Sequence, residues 1–179
     1  QAIYEFVWNE YCDWYLELSK PVLNGDSSPA AKAGTRRTLL RVLESMLRLM
    51  HPIMPYISEE IWQRVKVLVG KTGESIMLEA YPVADNSKIN LEAEADVEWL
   101  KSVIAGIRNI RGEMNISPSK QLPVLFHNSS ASDQQRLQRY SSQLRFLARL
   151  ESVGVLAIDA DLPPAATALV GNMAVLVPL

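Results

Sequence analysis

Three carboxylates near the start of the chain are the first residues whose spacing could do chemistry. Glu10, Asp13 and Glu17 follow an i, i+3, i+7 pattern, which places them in one stripe on an α-helix. Carboxylate oxygens accept hydrogen bonds from the exocyclic amines of cytosine and adenine, so this stripe could read bases. The same pattern is typical of acids that are solvated or paired with arginines on a neighbouring helix. On spacing alone, that second interpretation is favoured.

Arginines form two further sets at helical spacing. Arg37, Arg41 and Arg48 lie on one face of a predicted helix, and Arg108 and Arg111 lie one turn apart near the end of another. Guanidinium groups bind phosphate oxygens through two parallel hydrogen bonds, so either set could hold a nucleic-acid backbone. A salt-bridged outer face explains the first set equally well, and helix capping explains the second. A solvent-exposed face is expected for Arg136, Arg139, Arg145 and Arg149.

Aromatic residues also recur along the first segment, namely Tyr4, Trp8, Tyr11, Trp14 and Tyr15. Such rings could stack on unpaired bases. Rings at helical spacing more often belong to a core, and we predict a core position for this cluster. We expect the exception, if there is one, to be Trp14 or Tyr15, because these rings lie near the end of the predicted helix.

The sequence lacks the residues that a self-contained catalytic or metal centre needs. Its two histidines lie far apart and Cys12 is the only cysteine, which is too few for a usual zinc site unless carboxylates complete it. No phosphate-binding loop, dinucleotide-binding glycine pattern, serine-hydrolase elbow or HExxH pattern occurs. We therefore predict no catalytic residue, no metal and no cofactor in this chain.

The composition narrows the class of protein. The 179 residues are 48% hydrophobic and 21% charged, as in a globular protein. Eighteen Lys and Arg against 20 Asp and Glu give a net charge of -2, so any RNA contact must use a local patch. One cysteine excludes an internal disulfide and favours a reducing cytosol, and no apolar run reaches the roughly 18–20 residues of a membrane span. The chain opens within a predicted helix without a Met or signal peptide, so we expect a segment of a longer protein.

Hydrophobic periodicity predicts the elements that position these residues. Helices are predicted over residues 2–20, ended by Pro21, and over 33–50, then from an N-cap at Ser58 to a stop at Gly70, and over 91–114. A short extended stretch is predicted over 76–81, followed later by a strand over 122–127, a helix over 132–150, a strand over 153–158 and a hairpin of 167–170 and 174–177 around Gly171-Asn172. The prediction is a mainly α protein, with a helical bundle followed by a small α/β unit.

Three segments of the sequence carry a resemblance to a known family. Residues 8–21, WNEYCDWYLELSKP, resemble the opening of the anticodon-binding helical bundle of valyl-tRNA synthetases. Residues 49–62, LMHPIMPYISEEIW, resemble a later segment of that bundle, which isoleucyl, leucyl and methionyl enzymes share with changes. Residues 107–118, IRNIRGEMNISP, are similar to the stretch after the bundle. The Cys-Asp-Trp-Tyr-Leu-Glu core of the first segment is what points to valine.

The resemblance implies an antiparallel bundle of the class I synthetase anticodon-binding type over 1–118, and a small α/β junction subdomain over 119–179 before a missing coiled-coil arm. The family joins valine to its tRNA with ATP, on a catalytic domain with HIGH and KMSKS signatures that this chain lacks. It therefore implies a tRNA-reading module that is inactive alone. The implied partners are valine tRNA and the missing catalytic, editing and coiled-coil domains, in a cytoplasmic protein that we expect to be monomeric.

The resemblance also gives the candidate residues a role, because the family's bundle receives an anticodon whose second and third bases are A and C. Their exocyclic amines suit the acceptors Glu10, Asp13 and Glu17. Unstacked bases need an aromatic or guanidinium plane, for which Trp14 is the candidate ring. Lys20 is assigned to the loop edge, and the RNA backbone to Arg37, Arg41, Arg108 and Arg111. Two alternatives stay open: a helical scaffold that binds proteins only, and the equivalent module of an isoleucyl or leucyl enzyme.

Overall fold

The computed structural model describes residues 1–178, and the chain divides into two compact units. Unit 1 comprises Gln1–Ser87 and unit 2 begins at Lys88. Helices dominate, and a four-stranded mixed sheet lies in unit 2. This confirms a mainly helical protein with a small α/β part. This division reflects which residues pack together and does not test where the family's domain ends. The predicted boundary between a 1–118 domain and a 119–179 subdomain therefore stays a prediction.

Unit 1 opens with three consecutive helical segments: α1 (Ala2–Glu5), a π-helical segment (Phe6–Tyr15) and α2 (Leu16–Asn24). In the π-helical segment the backbone bonds span five residues, as from the Leu16 N–H to the Tyr11 carbonyl. The predicted end at Pro21 was wrong, because α2 continues through this proline to Asn24. Proline removes one backbone hydrogen bond but does not forbid the helical φ, so a helix packed on a neighbour can pass through it. Here α2 packs against the next helix.

The next two helices begin earlier than predicted. Helix α3 (Pro29–Met50) starts with Pro29 in its first turn, and the Ser28 Oγ accepts from the Ala31 N–H at 3.2 Å. Helix α4 (Pro55–Val65) starts with Pro55, so Ser58 is not its N-cap; the buried Ser58 hydroxyl donates to the Met54 carbonyl at 2.8 Å. Both errors have one cause, since a proline suits the first turn of a helix as well as it ends one.

The end of the third predicted helix agrees with the sequence. A 3₁₀ turn (Lys66–Val69) continues α4 and ends at Gly70, whose φ of 75° is left-handed, as predicted for a helix stop. The following Ile76–Leu78 segment is a 3₁₀ turn and not a strand-like stretch. Its Ile76 is buried with Leu47 and Trp62, and these three residues form the hydrophobic core of this part of unit 1.

Unit 2 contains a sheet together with helices that come before its first strand and between its first two strands. Helix α5 (Leu91–Glu113) precedes β1 (Leu122–His127), α6 (Ala131–Arg139), α7 (Ser141–Leu147), β2 (Leu150–Val155), β3 (Ala165–Val170) and β4 (Met173–Pro178). The strand order is β2-β1-β4-β3, with β1 parallel to β2 and the other pairs antiparallel. The predicted α5, β1 and hairpin are confirmed. The predicted helix over 132–150 is two helices broken at Tyr140, and β2 begins three residues before the predicted 153.

Helix α5 packs on β3 and β4, the two strands of the antiparallel hairpin. Its buried stripe includes Val103, Ile104 and Ile107, which have no exposed surface. At Gly106 an added Cβ would lie 3.1 Å from the Cβ of Ala168 on β3, a tighter contact than most Cβ atoms make, so the glycine lets the helix approach the strand closely. Within residues 1–178, no helix is both long and apolar enough to cross a membrane.

Candidate nucleic-acid interface

The predicted acidic stripe is split by the π-helical segment. Glu10 and Asp13 lie in that segment and are exposed, whereas Glu17 lies on α2, is half-buried and pairs with Lys20 at 2.5 Å. A π-helix has roughly 4.4 residues per turn, so a spacing of three residues rotates a side chain by about 115° and not by the roughly 60° of an α-helix. The carboxylates therefore fan out around the helix, and Glu10 and Asp13 are the two that are exposed.

The same change in period divides the aromatic cluster. Tyr11 is buried and its hydroxyl donates to the Leu39 carbonyl at 3.0 Å, while burial raises the pKa of that phenol. Tyr4 and Trp8 are 68% and 56% exposed, so the prediction of a core position was wrong for them. Their rings stack with centroids 6.3 Å apart and planes 5° apart. Trp14 and Tyr15, the expected exceptions, are half-buried. The exposed rings thus lie at the start of the helix and not at its end.

The arginines of α3 also separate into two groups. Arg37 and Arg41 are exposed and line a groove of about 500 Å³ between α3 and the 3₁₀ turn Lys66–Val69. Arg48 is instead tied to the buried Glu44, with its Nε 2.8 Å from Glu44 Oε1 and its Nη2 2.9 Å from Oε2. Of these three predicted arginines, Arg37 and Arg41 are therefore the two with exposed guanidinium surface for an anion.

Glu44 is the buried polar centre of unit 1. Its Oε1 also accepts from the indole Nε1 of the fully buried Trp62 at 3.1 Å. Burial acts to raise the pKa of Glu44, but the hydrogen bonds from Arg48 and Trp62 outweigh it and lower that pKa below its ordinary value. The carboxylate is therefore charged at neutral pH, and the hydrogen bonds that it accepts link Arg48 and Trp62 within unit 1.

Arg111, predicted to touch phosphate, is a structural residue of unit 2. It is only 8% exposed, and its guanidinium donates to the carbonyls of Ala148 at 2.9 Å, Arg149 at 3.0 Å and Ser117 at 3.2 Å. These bonds satisfy a cation that burial would otherwise penalise, and burial lowers its pKa. The capping interpretation was closer, although the carbonyls belong to the segments after α5 and α7. Arg108 is exposed.

The solvent-face prediction for the later arginines was wrong for Arg136, which is half-buried, whereas Arg139 is exposed as predicted although it also pairs with an acid. Arg136 Nε and Arg139 Nη1 bind the buried Asp96 at 2.7 and 2.9 Å, and the Tyr140 hydroxyl donates to the same carboxylate at 2.9 Å. The hydrogen bond from Arg136 is the main cause that lowers the pKa of Asp96, against the effect of burial. These arginines hold α6 to α5.

Sequence reasoning did not assign Arg36, Leu68 and Val69 to the groove beside α3, although all three line it. The adjacent Arg36-Arg37 pair and the apolar run before Gly70 were the available signals, but only the fold shows that they face each other. His51 bonds locally, with its Nδ1 2.7 Å from the Ser58 hydroxyl oxygen. Among residues 1–178, no group of three or more His, Cys, Asp and Glu side chains could hold a metal ion.

Comparison with known proteins gives the family. Residues 1–126 match the family model described as the anticodon-binding domain of tRNA ligase. The chain belongs to this family. It is 47% identical over 180 residues to a valine–tRNA ligase of Acinetobacter baylyi, and the alignment covers all of this chain but 18% of that relative. This anticodon-binding domain therefore spans less than a fifth of the length of the relative, and its resemblance to tRNA ligases is confirmed.

Proposed function

We propose that this anticodon-binding domain is the tRNA-reading part of a valine–tRNA ligase and that it binds the anticodon loop of valine tRNA. The observation that carries the proposal is the alignment of this whole chain, at 47% identity, with a part of a valine–tRNA ligase. The family match over residues 1–126 supports it. The geometry of unit 1 agrees with it, because exposed carboxylates, exposed rings and exposed guanidinium groups occur there together. Single-stranded RNA is bound by that combination of groups.

The residues take separate parts in the proposed complex. Glu10 and Asp13 accept from the exocyclic amines of the A and C bases, and the Tyr4–Trp8 stack offers a plane to an unpaired base. Arg37 and Arg41 bind the backbone, while Lys20, held by Glu17, and the exposed Arg108 remain candidates for its edges. Trp14 and Glu17 are half-buried and are secondary candidates. Arg111 is removed from the set because backbone carbonyls occupy its donors.

The wider protein follows from the same proposal. The helices of unit 1 form part of an antiparallel bundle of the class I type, and residues 119–179 form the junction that precedes a coiled-coil arm. ATP and valine are used on catalytic domains outside the matched segment, so the chain alone transfers no amino acid. We place the protein in the cytoplasm as a monomer.

The test is a titration of the purified chain with an anticodon stem-loop of valine tRNA, followed by fluorescence anisotropy. We expect changes of the second or third anticodon base to weaken binding about tenfold or more, since a good base contact contributes about 1–3 kcal/mol. Asp13→Asn and Glu10→Gln should reduce that discrimination. Glu60→Gln is the matched control, because Glu60 is an exposed carboxylate on α4 whose ion pair with Arg64 is local.

Two outcomes would overturn the proposal. Equal affinity for every anticodon, or binding at background level at all salt concentrations, favours a helical scaffold that binds proteins. Tighter binding to an isoleucine or leucine anticodon loop assigns the domain to one of those ligases.

A further inference from the structure

The groove beside α3 carries three cations and no anion. Arg36, Arg37 and Arg41 line it, and no carboxylate lines it among residues 1–178. Among residues 1–178, the ion pairs of unit 1 are formed by other cations, such as Lys20, Arg48 and Arg64. The three guanidinium groups are exposed, and they enter neither those pairs nor any side-chain hydrogen bond of the described residues.

This arrangement is unfavourable for the isolated chain. Arg37 and Arg41 are four residues apart on α3, so their charges repel at the distance of one helical turn. Asp96, by contrast, gives a carboxylate to Arg136 and Arg139, which are three residues apart on one helix. Three cations in one groove, with no carboxylate from residues 1–178 in its lining, attract an anion.

The rest of the groove is apolar. Leu40 and Val69 are half-buried in its lining, and Leu68 is 66% exposed, although it is an aliphatic side chain on a short 3₁₀ turn. The groove volume of about 500 Å³ lies within the range of about 300–1,000 Å³ that is typical of small-molecule sites. Cations on one wall and aliphatic side chains on the other match the phosphate and the base or ribose of a nucleotide.

We infer that this groove holds one unstacked nucleotide of single-stranded RNA. Arg36, Arg37 and Arg41 bind its flanking phosphates, because a guanidinium offers two parallel donors to phosphate oxygens. Leu68 and Val69 contact the ribose or the face of the base. The inference rests on the proposed function, names a subsite for it, and adds Arg36, Leu68 and Val69 to the RNA contacts.

The experiment compares the whole chain with the variant Arg36→Gln/Arg37→Gln/Arg41→Gln, using the valine anticodon stem-loop as the probe. Dissociation constants are measured by anisotropy at salt concentrations from about 50 to about 200 mM, a range over which phosphate binding weakens strongly. We expect about tenfold or greater loss of affinity, since bonds to charged groups each contribute about 1.5–3 kcal/mol. The slope of log K against log salt should fall by about 0.7 for each phosphate that the variant no longer binds. Leu68→Glu alone should weaken binding as well, because it places a negative charge opposite the phosphates.

The control variant is Arg64→Gln, which removes one exposed cation of α4 outside the groove. It should leave the affinity within about twofold of the original and change the slope little. If the original chain binds no anticodon stem-loop, the proposed function fails. If the original chain binds and the groove variants bind with the same affinity and slope, only this inference fails, and the groove is left for an anionic protein segment.

Discussion

Units 1 and 2 both carry arginines one helical turn apart, and they use them in opposite ways. Arg136 and Arg139 of unit 2 converge on the buried carboxylate of Asp96. Arg37 and Arg41 of unit 1 face a groove without any carboxylate among the residues that the structure describes. The residue type and the helical spacing are nearly the same in both cases. The difference comes from what the neighbouring element presents, which is a buried acid in unit 2 and the aliphatic residues Leu68 and Val69 in unit 1.

Unit 1 has a buried acid of its own, but another arginine occupies it. Glu44 accepts from Arg48 and Trp62, so its oxygens are used within the core. The comparison teaches that an arginine stripe indicates function only after the buried acceptors of the same unit have been assigned. In unit 1, that assignment leaves Arg36, Arg37 and Arg41 without a buried acceptor among the residues that the structure describes.

The largest expected effect is the loss of the unit 2 anchor. Asp96→Asn keeps the size of the side chain but leaves two guanidinium groups without their charged acceptor. We expect the free energy of unfolding of unit 2 to fall by about 3 kcal/mol, as when one partner of a buried ion pair is removed. Urea unfolding measures this change. Glu98→Gln is the control, since Glu98 is an exposed partner of Lys101, and should change stability by less than about 1 kcal/mol.

A smaller loss is expected for the anchor of unit 1. Glu44→Gln removes the charge that Arg48 binds, but the amide oxygen can still accept from the Trp62 indole. We therefore expect a loss of about 2 kcal/mol in urea unfolding. Because Trp62 is fully buried against Glu44, its fluorescence should report the transition. A Glu44→Gln variant as stable as the Glu60→Gln control would show that the core does not depend on this charge.

The stabilisation by Asp96 should also depend on pH, and this change in the free energy of unfolding should not exceed the loss expected for Asp96→Asn. The pKa of Asp96 is lower in the folded chain than its ordinary value, chiefly because of Arg136. The carboxylate therefore stabilises the fold above the unfolded pKa of about 4, and this contribution is lost as the pH falls through the folded pKa. The difference in unfolding free energy between the original chain and Asp96→Asn should be constant from about pH 7 to about pH 5 and shrink below about pH 4. A difference that stays constant down to about pH 3 would contradict this account.

The smallest effect is expected where the arginines face the groove. Arg37→Gln/Arg41→Gln removes a repulsion between like charges one turn apart, so the free energy of unfolding should stay equal or rise by about 0.2–0.5 kcal/mol at low salt. A loss of more than about 1 kcal/mol in urea unfolding would mean that these arginines are structural, as in unit 2. The comparison between the units would then fail.

The sequence predicted the elements with strong local signals. The apolar stripe of α5, the alternating β1 and the hairpin around Gly171 agree with the structure, because each depends on residues within the element. The acidic stripe and the aromatic core depended on an assumed α-helical period, and the π-helical segment breaks that period at Phe6–Tyr15. The roles of Arg111 and Arg136 could not be predicted, because their acceptors are backbone carbonyls distant in sequence and a buried acid on another helix. The family resemblance depended on motif residues and needed no geometry.

The position of β4 has a consequence for how unit 2 is made. This strand comes last in the sequence of the four, yet it lies inside the sheet between β1 and β3, with Val175 and Val177 buried. During synthesis on the ribosome, β1 and β3 therefore have no strand to join them until residues 173–178 have left the exit tunnel. Unit 2 should complete its folding only after that moment, and a nascent chain stalled before residue 173 should remain sensitive to protease there.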